Sequence, residues 1–190
     1  MSETKIEKAA EVIKNSDYTI AFTGAGISVE SGVPPFRGEN GIWNKYDPKT
    51  LELDFFYKNP LESWEVIKQL FYDFFGKADP NKAHIVLAEM EKKGLLECII
   101  TQNIDNLHQQ AGSKVVHEFH GNSHHLVCTK CRSYFDFKLV DFNNLPPYCK
   151  KCGGLLKPDF IFFGEGIPPD AYQNSIKAAH KAEVVILIGS

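Results

Sequence analysis

The chain has 190 residues, enough for one domain carrying a small insert and for a sizeable core. Its 43% hydrophobic and 24% charged content is that of a globular protein, and a net charge of −3 gives no basic field of the kind that draws nucleic acid. No apolar run is long enough to span a bilayer, and the N-terminal MSETKIEKAAEVIKN lacks a signal-peptide core, so a cytoplasmic location without membrane contact is expected.

Residues 4–15 read as a helix with Ile6, Ala9, Ala10 and Ile13 on one face and capping-box spacing between Thr4 and Glu7. Tyr18 to Thr23 reads as a buried strand running into the glycine loop Gly24-Ala25-Gly26-Ile27-Ser28. Glycines at that place let backbone N–H groups approach a pyrophosphate, although Val29 stands where a dinucleotide fingerprint has its third glycine. A tight strand-to-helix turn would use the same residues. Residues 31–50 form a long loop rich in Gly, Pro, Asn and Asp that carries Phe36 and Arg37. Helices are predicted after Asn59-Pro60, with an apolar stripe through Trp64, Ile67, Phe71 and Phe74, and after Pro80, ending at Gly94.

Three further apolar runs each end in polar residues. Cys98 to Gln102 delivers Asn103 and Asp105, Val115 to Phe119 delivers His120-Gly121, and Phe160 to Phe163 delivers Gly164-Glu165. A helix near 170–182 then leads to the strand Val184 to Ile188 and to Gly189-Ser190. Strands without polar alternation, separated by helices, predict an α/β fold with a parallel sheet covered on both faces. Such sheets bind ligands at the carboxyl ends of their strands. A sheet of this kind normally continues past a strand like 184–188, so the C-terminal part of the fold is expected to be missing and that strand to form an exposed apolar edge.

Gln102, Asn103 and Asp105 supply the donors and acceptors that read a carboxamide, and Asn103 or Asp105 could equally cap the turn through Leu107 to Gly112. An imidazole such as that of His120 is suited to taking a proton from a hydroxyl. Cys128 and Cys131 form one CxxC pair, Cys149 and Cys152 another, and seventeen residues lie between the pairs. That is the spacing of a zinc ribbon, in which four thiolates close a tetrahedral site and leave no position for a substrate; one structural zinc ion per chain is expected. Cys98 reads as an inert core thiol.

The strings GAGISVESGVPPFRG, TQNIDNLHQQAG, FHG, the two CxxC pairs, KPDFIFFGE and the final GS resemble, in order and spacing, the sirtuin family of NAD-dependent protein-lysine deacylases of bacterial and archaeal type. The resemblance implies a Rossmann-like doubly wound domain (residues 1–122 and 157–190) with a zinc module inserted at 123–156, and with residues 31–50 and 59–76 contributing to the smaller domain. It implies NAD contacts from Gly24, Ala25, Gly26, Val29, Phe36, Arg37, Gln102, Ile104, Asp105, Gly189 and Ser190, and a nicotinamide pocket lined by Ser28, Asn103 and Asp105. It implies His120 as the general base for a ribose hydroxyl, an extended acyl-lysine peptide along Ile161, Phe162, Phe163 and Gly164, and nicotinamide, O-acetyl-ADP-ribose and free lysine as products. Family members that remove acidic acyl groups carry a Tyr-x-x-Arg pair, which the region of Ile67 and Leu70 lacks, so acetyl and other neutral groups are expected. Pro35 stands where many members have aspartate. Two other activities would use the same residues: a catalytically impaired zinc-bearing interaction module, and protein mono-ADP-ribosyl transfer.

Overall fold

The computed structural model describes residues 4–36, 38–39, 41–74 and 78–190. Two sheets organise them. The first is parallel, in the order β3-β2-β1-β7, from β1 (Thr19–Thr23), β2 (Cys98–Thr101), β3 (Val116–Glu118) and β7 (Val184–Ile188). The second is antiparallel, in the order β5-β4-β6, from β4 (Gly121–Cys128), β5 (Tyr134–Asp136) and β6 (Leu156–Phe160).

The parallel strands are apolar on both sides because helices cover both faces. Ala21 and Ile99 point toward Leu87 and Met90 of α4 (Lys82–Lys92), while Ile20, Cys98 and Ile100 point toward Ala178 of α6 (Pro169–Lys181). This is the doubly wound arrangement that the alternation of runs predicts. β7 is an edge strand, and Val185 and Leu187 on it are exposed. Burial pushes the Cys98 thiol up to about 11, as fits an unreactive core residue.

The N-terminal helix α1 (Lys5–Lys14) carries the expected capping box between Thr4 and Glu7, but none of its residues is buried. Its apolar stripe is set by the sequence and left uncovered. The long loop contains short 3-10 turns at Ile42–Asn44 and Pro48–Leu51. It leads to α2 (Leu53–Lys58), which the sequence does not announce, and α3 (Pro60–Ile67), which opens on the expected proline. α3 continues into a π-helical turn, Lys68–Phe74, a geometry found often near functional sites. These segments share one core with the antiparallel sheet. Phe56, Trp64, Ile67 and Phe71 meet Leu126, Leu156, Phe160 and Phe162, and the Trp64 indole donates to the Leu156 carbonyl at 2.9 Å.

One predicted strand is misplaced. The strand lies at Leu156–Phe160 in the antiparallel sheet, not at Phe160–Phe163 in the parallel one. The apolar run after Phe160 is diverted by an ion pair between a buried lysine and a half-buried glutamate. Lys157 Nζ donates to the carbonyls of Pro158 (2.9 Å) and Phe160 (2.8 Å) and meets Glu165 Oε2 at 2.9 Å. Glu165 Oε2 also accepts the Phe162 N–H at 3.0 Å. The segment is thereby curled, and its N–H groups go elsewhere: Ile161 to His120 and Phe163 to Leu51, each at 2.9 Å.

Candidate active site and metal centre

The carboxyl ends of β1, β2 and β7 converge on one wall of a cavity of about 690 Å³, lined there by Ala25, Gly26, Gln102, Ile104, Gly189 and Ser190. The opposite wall is aromatic and aliphatic: Phe36, Trp43, Leu51, Phe71 and Phe160 to Phe163. The rings brace one another, with Phe71 and Phe160 centroids 4.9 Å apart, Phe160 and Phe162 stacked at 5.2 Å, and Phe36 and Trp43 at 5.4 Å. His120 lies on the same lining. The volume is that of a small-molecule site, which runs from about 300 to 1,000 Å³.

The glycine loop is a 3-10 helix, Ala25–Ser31, and its glycines answer first to Gly189. A Cβ on Gly24 would stand 2.6 Å from the Gly189 carbonyl oxygen, and one on Gly26 would stand 2.7 Å from the Gly189 Cα. The Gly26 N–H donates to that same carbonyl at 2.9 Å. The loop therefore closes onto the end of β7, and this contact explains the small residues at both places.

Against the glycine loop, three predicted residues form one hydrogen-bonded group. Ser28 Oγ donates to Asp105 Oδ2 at 2.7 Å. Asn103 Nδ2 donates to the Gly24 carbonyl at 3.1 Å and to Ser28 Oγ at 3.2 Å. Ser28 and Asn103 are buried. Asp105 does double duty, because its Oδ1 accepts the Leu107 N–H at 3.0 Å and so also caps the start of α5 (Leu107–Ala111). Of the two uses that the sequence leaves open, the hydrogen bond at the start of the turn is present.

Behind this group runs a buried polar line that sequence reading misses. His108 Nε2 lies 2.9 Å from Thr23 Oγ1, whose hydroxyl donates to Thr101 Oγ1 at 2.8 Å, and Thr101 Oγ1 accepts the Asn103 N–H at 3.1 Å. Burial, and then the neighbouring His84, pushes the His108 pKa down to about 3, so the ring is neutral.

His120 Nδ1 lies 3.1 Å from the Gln102 carbonyl oxygen. A carbonyl only accepts, so Nδ1 carries the hydrogen and the neutral ring keeps its lone pair at Nε2. Of the other predicted contacts, Val29 is 47% exposed and lies off the cavity lining. Arg37 lies outside the described residues. Phe163 gives its N–H to Leu51 and its carbonyl to the Leu53 N–H.

The four cysteines converge beside the second sheet, Cys128 at the end of β4 and the others in the adjoining turns. Their sulfurs all lie within 4.8 Å of one another, with Cys128 to Cys152 at 3.5 Å and Cys131 to Cys149 at 3.8 Å. Zn–S bonds of about 2.3 Å at tetrahedral angles put sulfurs roughly 3.8 Å apart, so this donor set fits zinc, and the separations are far beyond a disulfide's. The two CxxC turns match. Cys128 O accepts from Arg132 N (3.0 Å) and Cys149 O from Gly153 N (2.8 Å), with both donors at positive φ. His124 and His125 stand outside the cluster.

A sequence model of the Sir2 family matches residues 24–190. The NAD-dependent protein deacetylase of Saccharolobus solfataricus is 45% identical over 188 residues, covering 97% of this chain and 74% of that protein. A Sir2 variant solved with a deacetylated p53 peptide and 3′-O-acetyl ADP-ribose superposes with a TM-score of 0.92 at 40% identity, covering 98% of this chain and 77% of the other. A Sir2 complex with a p53 peptide and NAD+ superposes with a TM-score of 0.89 at 39% identity, covering 98% and 76%. The chain belongs to the Sir2 family, and its four-cysteine ribbon is placed to hold one structural zinc ion.

Proposed function

We propose that this chain is an NAD-dependent protein deacetylase that removes acetyl and other neutral acyl groups from lysine, releasing nicotinamide and O-acetyl-ADP-ribose. The observation that carries the reading is the convergence of His120, Gln102 and the glycine loop on one cavity, with the Ser28–Asn103–Asp105 group hydrogen-bonded to that loop at Gly24. The relatives and the complexes with NAD and with acetyl-ADP-ribose support it.

The residues present fit NAD: the Gln102 amide and the backbone of the glycine loop line the cavity, and the Ser28–Asn103–Asp105 group is joined to that loop at the Gly24 carbonyl. When bound, NAD supplies a ribose carbon with nicotinamide as its leaving group. Asn103 and Asp105, with Ser28, orient the carboxamide. Gln102 holds His120 Nδ1–H, so that Nε2 takes the proton of a ribose hydroxyl. Trp43, Phe71 and Phe162 keep water from the acyl-lysine. Gly24, Ala25, Gly26, Phe36, Ile104, Gly189 and Ser190, together with Val29 and Arg37, complete the proposed cofactor contacts. The peptide lies extended along Ile161 to Gly164. We further propose that 123–156 behaves as a zinc module between two parts of the NAD domain, and that the protein works in the cytoplasm, where thiols stay reduced.

Ile67 and Leu70 are buried in the core, and no lysine or arginine stands among the described residues lining the cavity. A carboxylate on the acyl group would meet no cationic side chain among those residues. Acetyl-, propionyl- and succinyl-lysine peptides should be incubated with the protein and NAD, following nicotinamide. Release that depends on the first two peptides is expected. Comparable turnover of succinyl-lysine overturns the acyl preference, and release without peptide, with label transferred to protein, favours ADP-ribosyl transfer.

A further inference from the structure

Between β3 and β4 the chain passes from the parallel sheet to the antiparallel one, and the link is only Phe119 and His120. His120 therefore sits where two sheets could shift against each other, and something has to fix the link on both sides. Its backbone is held on one side by the Phe119 N–H to Thr101 O bond and on the other by the Ile161 N–H to His120 O bond, both 2.9 Å. A Cβ on Gly121 would lie 2.1 Å from the Asp159 carbonyl oxygen, so the turn is also closely seated.

Glu118 adds a side-chain clasp across the turn. Its Oε1 accepts from Gln109 Nε2 of α5 at 2.8 Å, and its Oε2 accepts from Asn122 Nδ2 of β4 at 3.1 Å. Asn122 cannot be flipped, because its Oδ1 accepts the N–H groups of His124 (3.0 Å) and His125 (3.2 Å). The line α5–Glu118–Asn122 thus brackets Phe119-His120-Gly121 from outside. Within β2 and β3, Glu118 is in register with Thr101, whose next neighbour Gln102 holds the His120 ring.

The choice of a carboxylate is informative. Glu118 is half-buried, and burial raises its pKa and so works against the ionised form, an effect opposed by the bonds from Asn122 and Gln109. A glutamine would fill the same space at less electrostatic cost. It could not face two amide donors, because one of its own two ends is a donor.

We infer that Glu118, acting through Asn122, is a positioning residue that holds the His120 turn so that the imidazole keeps its Nδ1–H on Gln102 and its Nε2 lone pair ready for the substrate. The inference rests on the deacetylase reading above for what His120 does, and on geometry alone for how the ring is held.

The test is a donor–acceptor swap. In Glu118→Gln an amide faces an amide, and in Asn122→Asp a carboxylate faces a carboxylate. In the double variant the amide now at position 118 donates to one oxygen of the carboxylate now at position 122. The other oxygen of that carboxylate still accepts the His124 and His125 N–H groups, and Gln109 still has an acceptor. For the zinc-loaded protein, kcat and KM are measured with NAD and acetyl-lysine peptide, and long-range ¹H–¹⁵N spectra report the histidine tautomers. Each single variant should lose on the order of tenfold in kcat, within the roughly hundredfold that an ångström of misplacement brings. KM and zinc content should hold, and His120 should show mixed tautomers. The double variant should recover kcat to within about twofold, the margin of ordinary non-additivity, with a single Nδ1–H tautomer. Wild-type kcat and tautomer in the single variants, or no recovery in the double variant, overturns the inference, as does a loss of kcat that only follows zinc or the folded fraction. If the wild-type protein released no nicotinamide with peptide, the deacetylase reading would fail, and the tautomer spectra would still decide whether Glu118 sets the ring.

Discussion

Gly26 and Gly189 lie in backbone contact: a methyl group added to the first would stand 2.7 Å from the Cα of the second, and Gly189 itself has φ +63°. The contact joins the glycine loop to the end of β7, so neither side can yield by rotating a side chain. Gly26→Ala should destabilise the protein by about 1–3 kcal/mol, as overpacking does, and weaken NAD binding by moving the loop. Urea titration and calorimetry of NAD binding check both; an unchanged midpoint would mean that the loop separates from β7 without penalty.

Ser28→Ala leaves Asp105 Oδ2 without its donor and Asn103 with only the Gly24 carbonyl. An unsatisfied buried polar group costs about 1–3 kcal/mol. The expected outcome is a loss of stability in that range, with a larger proportional drop in nicotinamide release than in peptide binding. Chemical denaturation and single-turnover assays on the same preparation measure the two.

Acid should destabilise the fold through His108. Its pKa falls from 6.5 to about 3 on folding, because burial disfavours the imidazolium and His84 adds to the effect. The unfolded chain therefore binds the proton more readily between those values. The stabilisation is fully present above pH 6.5 and is lost as the pH falls, reaching on the order of a few kcal/mol at the acid end. His84, His117 and His124 are shifted the same way by burial. Glu118 and Asp159, raised by burial, act with the opposite sign: their contribution is complete below the carboxylate range and is lost as the pH rises through it. Urea midpoints between pH 7.5 and 5 should decline, and His108→Gln should flatten the decline. An unaltered slope in that variant would place the acid sensitivity elsewhere.

Stripping zinc should unfold more than the ribbon. Cys128 and Cys149 belong to the same core as Trp64, Phe71, Phe160 and Phe162, which line or back the cavity. Structural zinc contributes on the order of 10 kcal/mol in small modules. A chelator should lower the melting temperature by about 10 °C or more and abolish nicotinamide release, with recovery on adding zinc. Melting curves with and without chelator, followed by metal analysis, test this.

The parts of this site that were legible in the sequence are those carried by local strings. Cys128, Cys131, Cys149 and Cys152 announce themselves by spacing, and Asn103, Asp105 and His120 by their place after apolar runs. What was not legible depends on residues far apart in the chain. The need for glycine at 24 and 26 comes from Gly189, at the other end of the sequence. The run Phe160 to Phe163 has the composition of a buried strand, yet Lys157 and Glu165 curl it, and a lysine so fully enclosed is invisible to pattern reading. Trp43 and Leu51 reach the cavity from a loop with no periodicity, and Phe71, legible as one residue of an apolar stripe, reaches it from a π-helical turn that the stripe does not announce. The line from His108 through Thr23 and Thr101 to Asn103 joins three segments by side-chain hydroxyls that look ordinary one at a time.

In the proposed reaction His120, seated by the Gln102 carbonyl, is the base of a peptide-dependent deacetylation. His120→Ala, purified with zinc and mixed with NAD and an acetyl-lysine peptide, tests it most directly, with deacetylated peptide read by mass spectrometry. Deacetylated peptide should fall to background while zinc content and NAD affinity match the wild type. Turnover at the wild-type rate in that variant, or loss of zinc along with activity, would contradict it.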